Sequence, residues 1–253
     1  MKKTFSKEKN ISFVMLLFFS VMLFIKFYYG ELNSMNSTMF AFSYKYGFIS
    51  RGFVGTCYRI LDFILPFNIM HYIWLRRIVL LLTICFFFIM FAFILSGLYR
   101  LKNDMILHYA CISFAFVLFS VPMFVGEFNF GRSDMLMASI SLLALLLIMS
   151  DKMLWCVIPL SAVGVMIHQG YVFMFFNVVL VALLYKFFSA EGKDKIKFIT
   201  VMIICFLVCS GLFLYFELFS HTAKAAAYEN IIETAKSLSL SGKYHADVID
   251  KEI

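Results

Sequence analysis

Three short polar clusters interrupt long apolar stretches, and each carries residue types suited to handling charge. They are Tyr46-Gly47-Phe48-Ile49-Ser50-Arg51-Gly52, Gly126-Glu127-Phe128-Asn129-Phe130-Gly131-Arg132-Ser133-Asp134 and Ile167-His168-Gln169-Gly170. Arg51 and Arg132 offer guanidinium forks, which grip phosphate oxygens through paired charge-assisted hydrogen bonds. His168 offers an imidazole whose ordinary pKa suits a general base near neutral pH. Glu127 and Asp134 add carboxylates beside Arg132. Activating a hydroxyl while offsetting the charge of a departing phosphate needs one base and several cations, and the clusters hold both. The candidate catalytic residues are therefore His168, Asp134 and Glu127. The candidate substrate-binding residues are Arg51, Arg132, Tyr46 and Gln169.

Each candidate has a blander alternative. Arg51 follows an aromatic-rich stretch and is also placed to snorkel toward lipid headgroups. Asp134 opens an apolar run, where a carboxylate caps a helix and meets the positive end of its dipole. His168 is equally suited to hydrogen-bonding the helix ends at a hairpin. Arg132 has no such alternative, because it sits in a loop on the side expected to be poor in cations.

Several chemistries find no support. There is no Gly-rich nucleotide loop, no G-x-S-x-G and no H-E-x-x-H. The histidines are scattered, so neither a zinc site nor any other cofactor is expected. Of the six cysteines only Cys57 lies outside the apolar runs, no CxxC occurs, and the set reads as small core hydrophobes.

The elements that must position these clusters are membrane-spanning helices. Of 253 residues, 63% are hydrophobic and 15% charged, against roughly a quarter charged in a soluble domain. The mean hydropathy is +0.91. Apolar runs approach the ~20 residues that a bilayer-crossing helix needs. The fold class expected is an all-α, polytopic helical bundle of about seven spans, at 11–29, 78–98, 105–125, 135–150, 153–167, 171–188 and 197–218. The first run follows Lys2, Lys3, Lys7 and Lys9 but is long and lacks an A-x-A-like cleavage site, so it reads as an uncleaved span.

With the tail after 218 left aside, placing the amino end in the cytoplasm puts eleven cations in that end and the inner loops and six in the outer ones, with all three polar clusters outside. An additional span over 53–75 would invert every later span and leave seven inside against ten outside. That segment holds Arg59, Asp62, Pro66, Asn68 and His71. It reads instead as an amphipathic helix on the outer surface. Phe53, Cys57, Ile60, Leu61 and Ile64 form its apolar face, and Arg59 and Asp62 pair at i, i+3. The domains expected are a transmembrane domain over 1–218, with an outer loop at 30–77, and an extracytoplasmic segment over 219–253. The latter is read as a soluble helix rich in alanine and then a loop from Ser237 to Gly242. Span 153–167 is short enough to set the turn at His168 below the outer surface, in a water-filled vestibule. Asn36-Ser37-Thr38 is a sequon, a short match that arises by chance. The basic balance of +7 lies mostly at the ends of apolar runs and does not indicate nucleic-acid binding.

The stretch from Phe130 to Tyr185 resembles bacterial polysaccharide polymerases of the Wzy/EpsG type. There an Arg opens an apolar span, a short Lys turn follows, and the next span ends in a His motif. Here those positions are Gly131-Arg132-Ser133-Asp134, then Asp151-Lys152, then Met166-Ile167-His168-Gln169-Gly170. Members of that family usually have more spans, so the resemblance implies a chain that is short at its carboxyl end or a truncated piece. It also has Gln169-Gly170 where the family more often has a small hydroxyl residue. The resemblance implies a multi-pass enzyme of the bacterial inner membrane that acts on the outer face. It would transfer a glycan from an undecaprenyl-diphosphate donor to a second lipid-linked chain, in O-antigen or exopolysaccharide assembly. Its implied partners are the lipid-linked oligosaccharide, the lipid bilayer, and flippase and chain-length regulator proteins. Two rivals stand beside it. A GT-C-type lipid-phospho-sugar-dependent glycosyltransferase would need an essential acid in the first outer loop, where Glu31 is the only acid before Arg51. A transporter or accessory subunit would favour charged or helix-breaking positions deep in its spans.

Overall fold

The computed structural model describes residues 30–47, 49, 51–100, 130–151, 153–219 and 225–252, together with Leu17, Val21, Ile25 and Tyr28. Most of the expected span 11–29, all of 105–125 and Glu127 lie outside the described residues. Every regular element within them is helical. In chain order these are α1 (Ser34–Met39), α2 (Gly52–Ile64), α3 (Tyr72–Arg100), α4 (Ser133–Ser150), α5 (Val157–Ile167), α6 (Tyr171–Met174), α7 (Phe176–Ser189), α8 (Gly192–Phe219), α9 (Ala225–Ser237) and α10 (Ala246–Glu252). Short 3₁₀ turns at Tyr44–Tyr46 and Leu154–Cys156 precede α2 and α5. Three helices are long and apolar enough to cross a membrane, at Tyr72–Met90, Ser133–Ser150 and Gly192–Phe219. Leu154–Ile167 and Phe176–Ser189 are apolar but shorter.

Helix α4 is the wall shared by two hydrophobic clusters. Met135, Ala138 and Leu142 on one side join α3, the 30–71 loop and the tail. Met137, Ile140, Ala144 and Ile148 on another join α5, α7 and α8. A helix buried on more than one side must be apolar around most of its circumference, and α4 carries only Asp134 and its serines as polar residues. The other helices of the bundle are arranged around it, with α5 against α4 and α8, and α7 against α8 and α4.

Five of the seven expected spans fall on described helices with small shifts, and three of those helices are long and apolar enough to cross a membrane. Helix α3 begins six residues before 78, because Arg76 and Arg77 are accommodated at its start. Arg76 Nε donates to the Gly30 carbonyl oxygen at 3.1 Å, and Arg77 stacks over the Trp74 ring at 4.8 Å. The run 171–188 is broken at Phe175 into α6 and α7. The tail forms its expected helix and turn, and adds α10 over residues read only as chain end.

The segment 53–75 does not form one helix. Helix α2 stops at Ile64, because Pro66 drives Leu65 to extended backbone (φ −78°, ψ 143°). The chain then folds back. The Tyr58 hydroxyl donates to the Ile69 carbonyl oxygen, and Asp62 Oδ1 accepts the Ile69 amide at 2.7 Å. The expected Arg59–Asp62 pair is therefore replaced. Arg59 instead donates to the Tyr46 hydroxyl at 2.6 Å and to Thr234 Oγ1 at 3.1 Å.

Candidate functional site

Arg51 is set by the start of α2. It takes the left-handed conformation, with φ 62°, an uncommon state for a residue with a side chain. It is held there by the close packing of α2 behind it. An added Cβ at Gly55 would lie 1.7 Å from the Phe42 carbonyl oxygen, so only glycine allows α2 to rest on this backbone. The Arg51 guanidinium reaches back to Met39 Sδ at 3.4 Å.

Arg132 is set by the turn that leads into α4. Gly131 has φ +89° and no room for a Cβ, which would meet Leu32 Cδ1 at 2.3 Å. The Asn36 amide donates to the Phe130 carbonyl oxygen at 2.8 Å. Asn36 is buried, so the sequon is a structural tie between α1 and the Arg132 turn. Arg132 Nε and Asp134 Oδ2 form an ion pair at 2.6 Å, with the arginine side chain partly exposed and the carboxylate buried. Asp134 makes no side-chain cap; Arg132 holds that position without a cap hydrogen bond. Asp134 offsets the guanidinium charge next to it.

His168 terminates α5 in extended backbone (φ −162°). Its hairpin is wedged by Tyr171, whose hydroxyl accepts from Ser141 Oγ at 3.2 Å. The Tyr171 ring fills the space where Gly164 lacks a Cβ. The imidazole Nδ1 accepts the Gly170 amide at 2.8 Å. An acceptor at Nδ1 leaves the ring proton on Nε2 in the neutral form. Burial, then the Arg51 charge, then the Arg132 charge push the pKa down to about 4. The group's pKa therefore lies well below its ordinary value near 6.5.

The three clusters converge. Arg51 and Arg132 both act electrostatically on His168. A small recess between α2, α4 and α5 is lined by Met39, Arg51, Val54, Gly131, Ser133 and Ile167. A second recess across Gly131 reaches Arg132 and Thr83. The opposite end of α4 lies about 27 Å away for an 18-residue helix. There Lys186 pairs with Asp151 at 2.7 Å.

Neither a family model, nor a curated protein, nor a solved structure matches this chain. The site is therefore read from its own geometry. Among the described residues, two guanidiniums and one buried carboxylate leave a net positive end, suited to an anion with several oxygens. Gln169 occupies the turn beside His168, and its carbonyl oxygen accepts the Val172 amide at 3.1 Å. Tyr46 is directed elsewhere. Its hydroxyl takes Arg59, whose guanidinium also lies 4.9 Å above its ring, so it serves the junction with the tail. Among the described residues no group of three or more His, Cys, Asp or Glu is arranged for a metal ion.

Sequence reasoning overlooked Asn36, Gly55 and Tyr171 as supports of the site. Gly55, spaced one helical turn from Gly52, was a legible signal for close packing of one helix face. Asn36 and Tyr171 gave none, since their partners lie 94 and 30 residues away.

Proposed function

We propose that the chain is a multi-pass membrane glycosyltransferase that handles a lipid-linked diphosphate sugar, in the manner of a polysaccharide polymerase. The observation that carries this reading is the recess between α2, α4 and α5, which brings Arg51 together with the Gly131–Ser133 turn that carries Arg132 and with Ile167, the neighbour of His168. A diphosphate leaving group presents several anionic oxygens, and two guanidiniums beside a hydrogen-bonding imidazole match it. On the expected seven-span arrangement, with the amino end in the cytoplasm, this end faces outward from the bacterial inner membrane, where undecaprenyl-diphosphate-linked saccharides are polymerised. Labelling of a cysteine placed at 193 by an impermeant reagent in intact cells would overturn that orientation.

Helix α2 supports the membrane setting. Its protein-facing side is Gly52, Gly55 and Tyr58, while Ile60, Phe63 and Ile64 are 54%, 90% and 69% exposed. An outward apolar face next to membrane-length helices suits the interfacial layer of a bilayer. We place α2 flat on the lipid surface, with Arg51 at the end nearest the recess.

The test is glycan extension by the protein in nanodiscs supplied with lipid-linked oligosaccharide. Arg132→Ala should cut product by at least about 10²-fold, and Lys should restore little, because an ammonium is a point charge without the bidentate fork. Since Ala would strand the buried Asp134 carboxylate, the double variant Arg132→Ala, Asp134→Asn controls for folding. Full extension by that folded double variant would remove Arg132 from the site. Glu31→Gln separates the rival: loss of activity there, with Arg132→Ala active, would favour a GT-C-type enzyme.

A further inference from the structure

We infer that His168 is a neutral hydrogen-bond donor to an anionic oxygen held by Arg51 and Arg132, and not a proton acceptor. The inference rests on the phosphate reading of the recess and deepens it by assigning the imidazole the opposite role from a general base. The geometry that carries it is local. Nδ1 accepts the Gly170 amide at 2.8 Å. The Gly170 backbone also hugs that edge of the ring, since an added Cβ would lie 3.1 Å from Nδ1. For Nε2 to accept a proton from a neutral ring, the existing ring proton would have to sit on Nδ1. Two N–H groups would then point at each other, and the Gly170 amide would lose its acceptor. The turn from His168 to Tyr171 thus selects the Nε2–H tautomer.

The surroundings act in the same direction. Among the described residues, Arg51 from the start of α2 and Arg132 from the turn before α4 are the charged groups that act on the ring, and both oppose an imidazolium. Asp134 faces Arg132, with which it pairs at 2.6 Å. The ring therefore stays neutral across the physiological range and keeps one N–H. A neutral donor beside two cations adds a directed hydrogen bond without further charge. That complements an oxyanion whose charge the arginines already offset. The ligand class is a phosphate or diphosphate group in its deprotonated form.

The experiment uses the full chain in nanodiscs, ¹⁵N-labelled at histidine, with inorganic diphosphate as the probe. His168→Asn identifies the His168 resonances among the five histidines of the chain. The expected spectrum shows Nδ1 as an unprotonated acceptor and Nε2 protonated from pH 5 to pH 8, with the Nε2–H proton shifting when diphosphate is added. Affinity for diphosphate then separates the ring edges. Gln places its amide donor near Nε2, whereas Asn reproduces only the acceptor at Nδ1. The expected order is wild type, then Gln, then Asn, with Asn weaker than wild type by at least about tenfold, a loss of about 1.4 kcal/mol. A proton on Nδ1, titration near pH 6.5, or Asn binding more tightly than Gln would overturn the donor role while leaving the arginine site intact. An Nε2–H tautomer in a wild type that binds no diphosphate would overturn the anion site, and with it the inference.

Discussion

The two hydrophobic clusters on either side of α4 are held together in different ways. The bundle of α4, α5, α7 and α8 is joined by apolar side chains, with the Ser141–Tyr171 bond as a polar link in its interior. The cap formed by the 30–71 loop, the start of α3 and the tail is joined by many specific bonds across long sequence distances. The Leu32 amide donates to the Tyr72 hydroxyl at 3.1 Å, Asn36 to Phe130, and Arg59 to Thr234. His245 Nε2 sits 3.1 Å from Ser34 Oγ. The site lies where the two regions meet, with Arg51 from the cap and His168 from the bundle. The bundle therefore supplies a rigid wall, and the cap supplies polar precision. Hydrogen bonds remain informative about position at the water-facing end, whereas within lipid-length helices shape does most of the sorting.

The strongest way to break this contrast is through two glycines. Gly55→Ala in the cap should destabilise by several kcal/mol, because its Cβ would meet rigid backbone at 1.7 Å. Gly164→Ala in the bundle meets the Tyr171 ring at 2.6 Å, a side chain that substitution can remove. Adding Tyr171→Leu should therefore recover most of the loss at Gly164, while no single side-chain change should rescue Gly55. Thermal unfolding in detergent reads both. Equal rescue at the two positions would erase the distinction.

A smaller effect is expected at Asn36. Asn36→Leu leaves the Phe130 carbonyl oxygen without its donor and should cost about 1–3 kcal/mol. Because that bond holds the turn before Arg132, diphosphate affinity should fall even in protein that remains folded. Unchanged affinity in the folded variant would show that Gly131 alone fixes the turn.

The smallest effect is a pH dependence. Burial and the two guanidiniums hold the folded His168 pKa at about 4, below its ordinary value of 6.5. As pH falls, the unfolded chain takes up this proton first, so stability is undiminished above about 6.5, declines between 6.5 and 4, and levels off below. The loss should be on the order of 1 kcal/mol, since the ring retains some solvent contact. His168→Asn should remove that slope from the unfolding profile. A slope unchanged by His168→Asn would assign it to carboxylates instead.

Much of the bundle was legible because hydropathy is a one-dimensional signal. Runs of Leu, Ile, Phe and Val marked α3, α4, α5, α7 and α8 to within six residues, and the three polar clusters stood out as interruptions of those runs. Their expected placement on one side came from counting crossings. What could not be read was how they meet. Arg51 and His168 are 117 residues apart by their numbering, and no local pattern encodes their approach. The reading of α2 matched its outward residues Cys57, Ile60, Leu61 and Ile64 but not Phe53, which packs against the bundle, and it was wrong about the length, because Asp62 and Tyr58 recapture the chain at Ile69. The sequence by itself determined which segments are apolar and which residues carry charge at their ends, since transfer free energy depends on composition. Only the tertiary structure decided that Asp134 pairs with Arg132, that Tyr46 belongs to the tail junction, and that Gly170 claims Nδ1 of His168. Those assignments depend on hydrogen-bond distances and angles, which are set by how the chain folds back on itself.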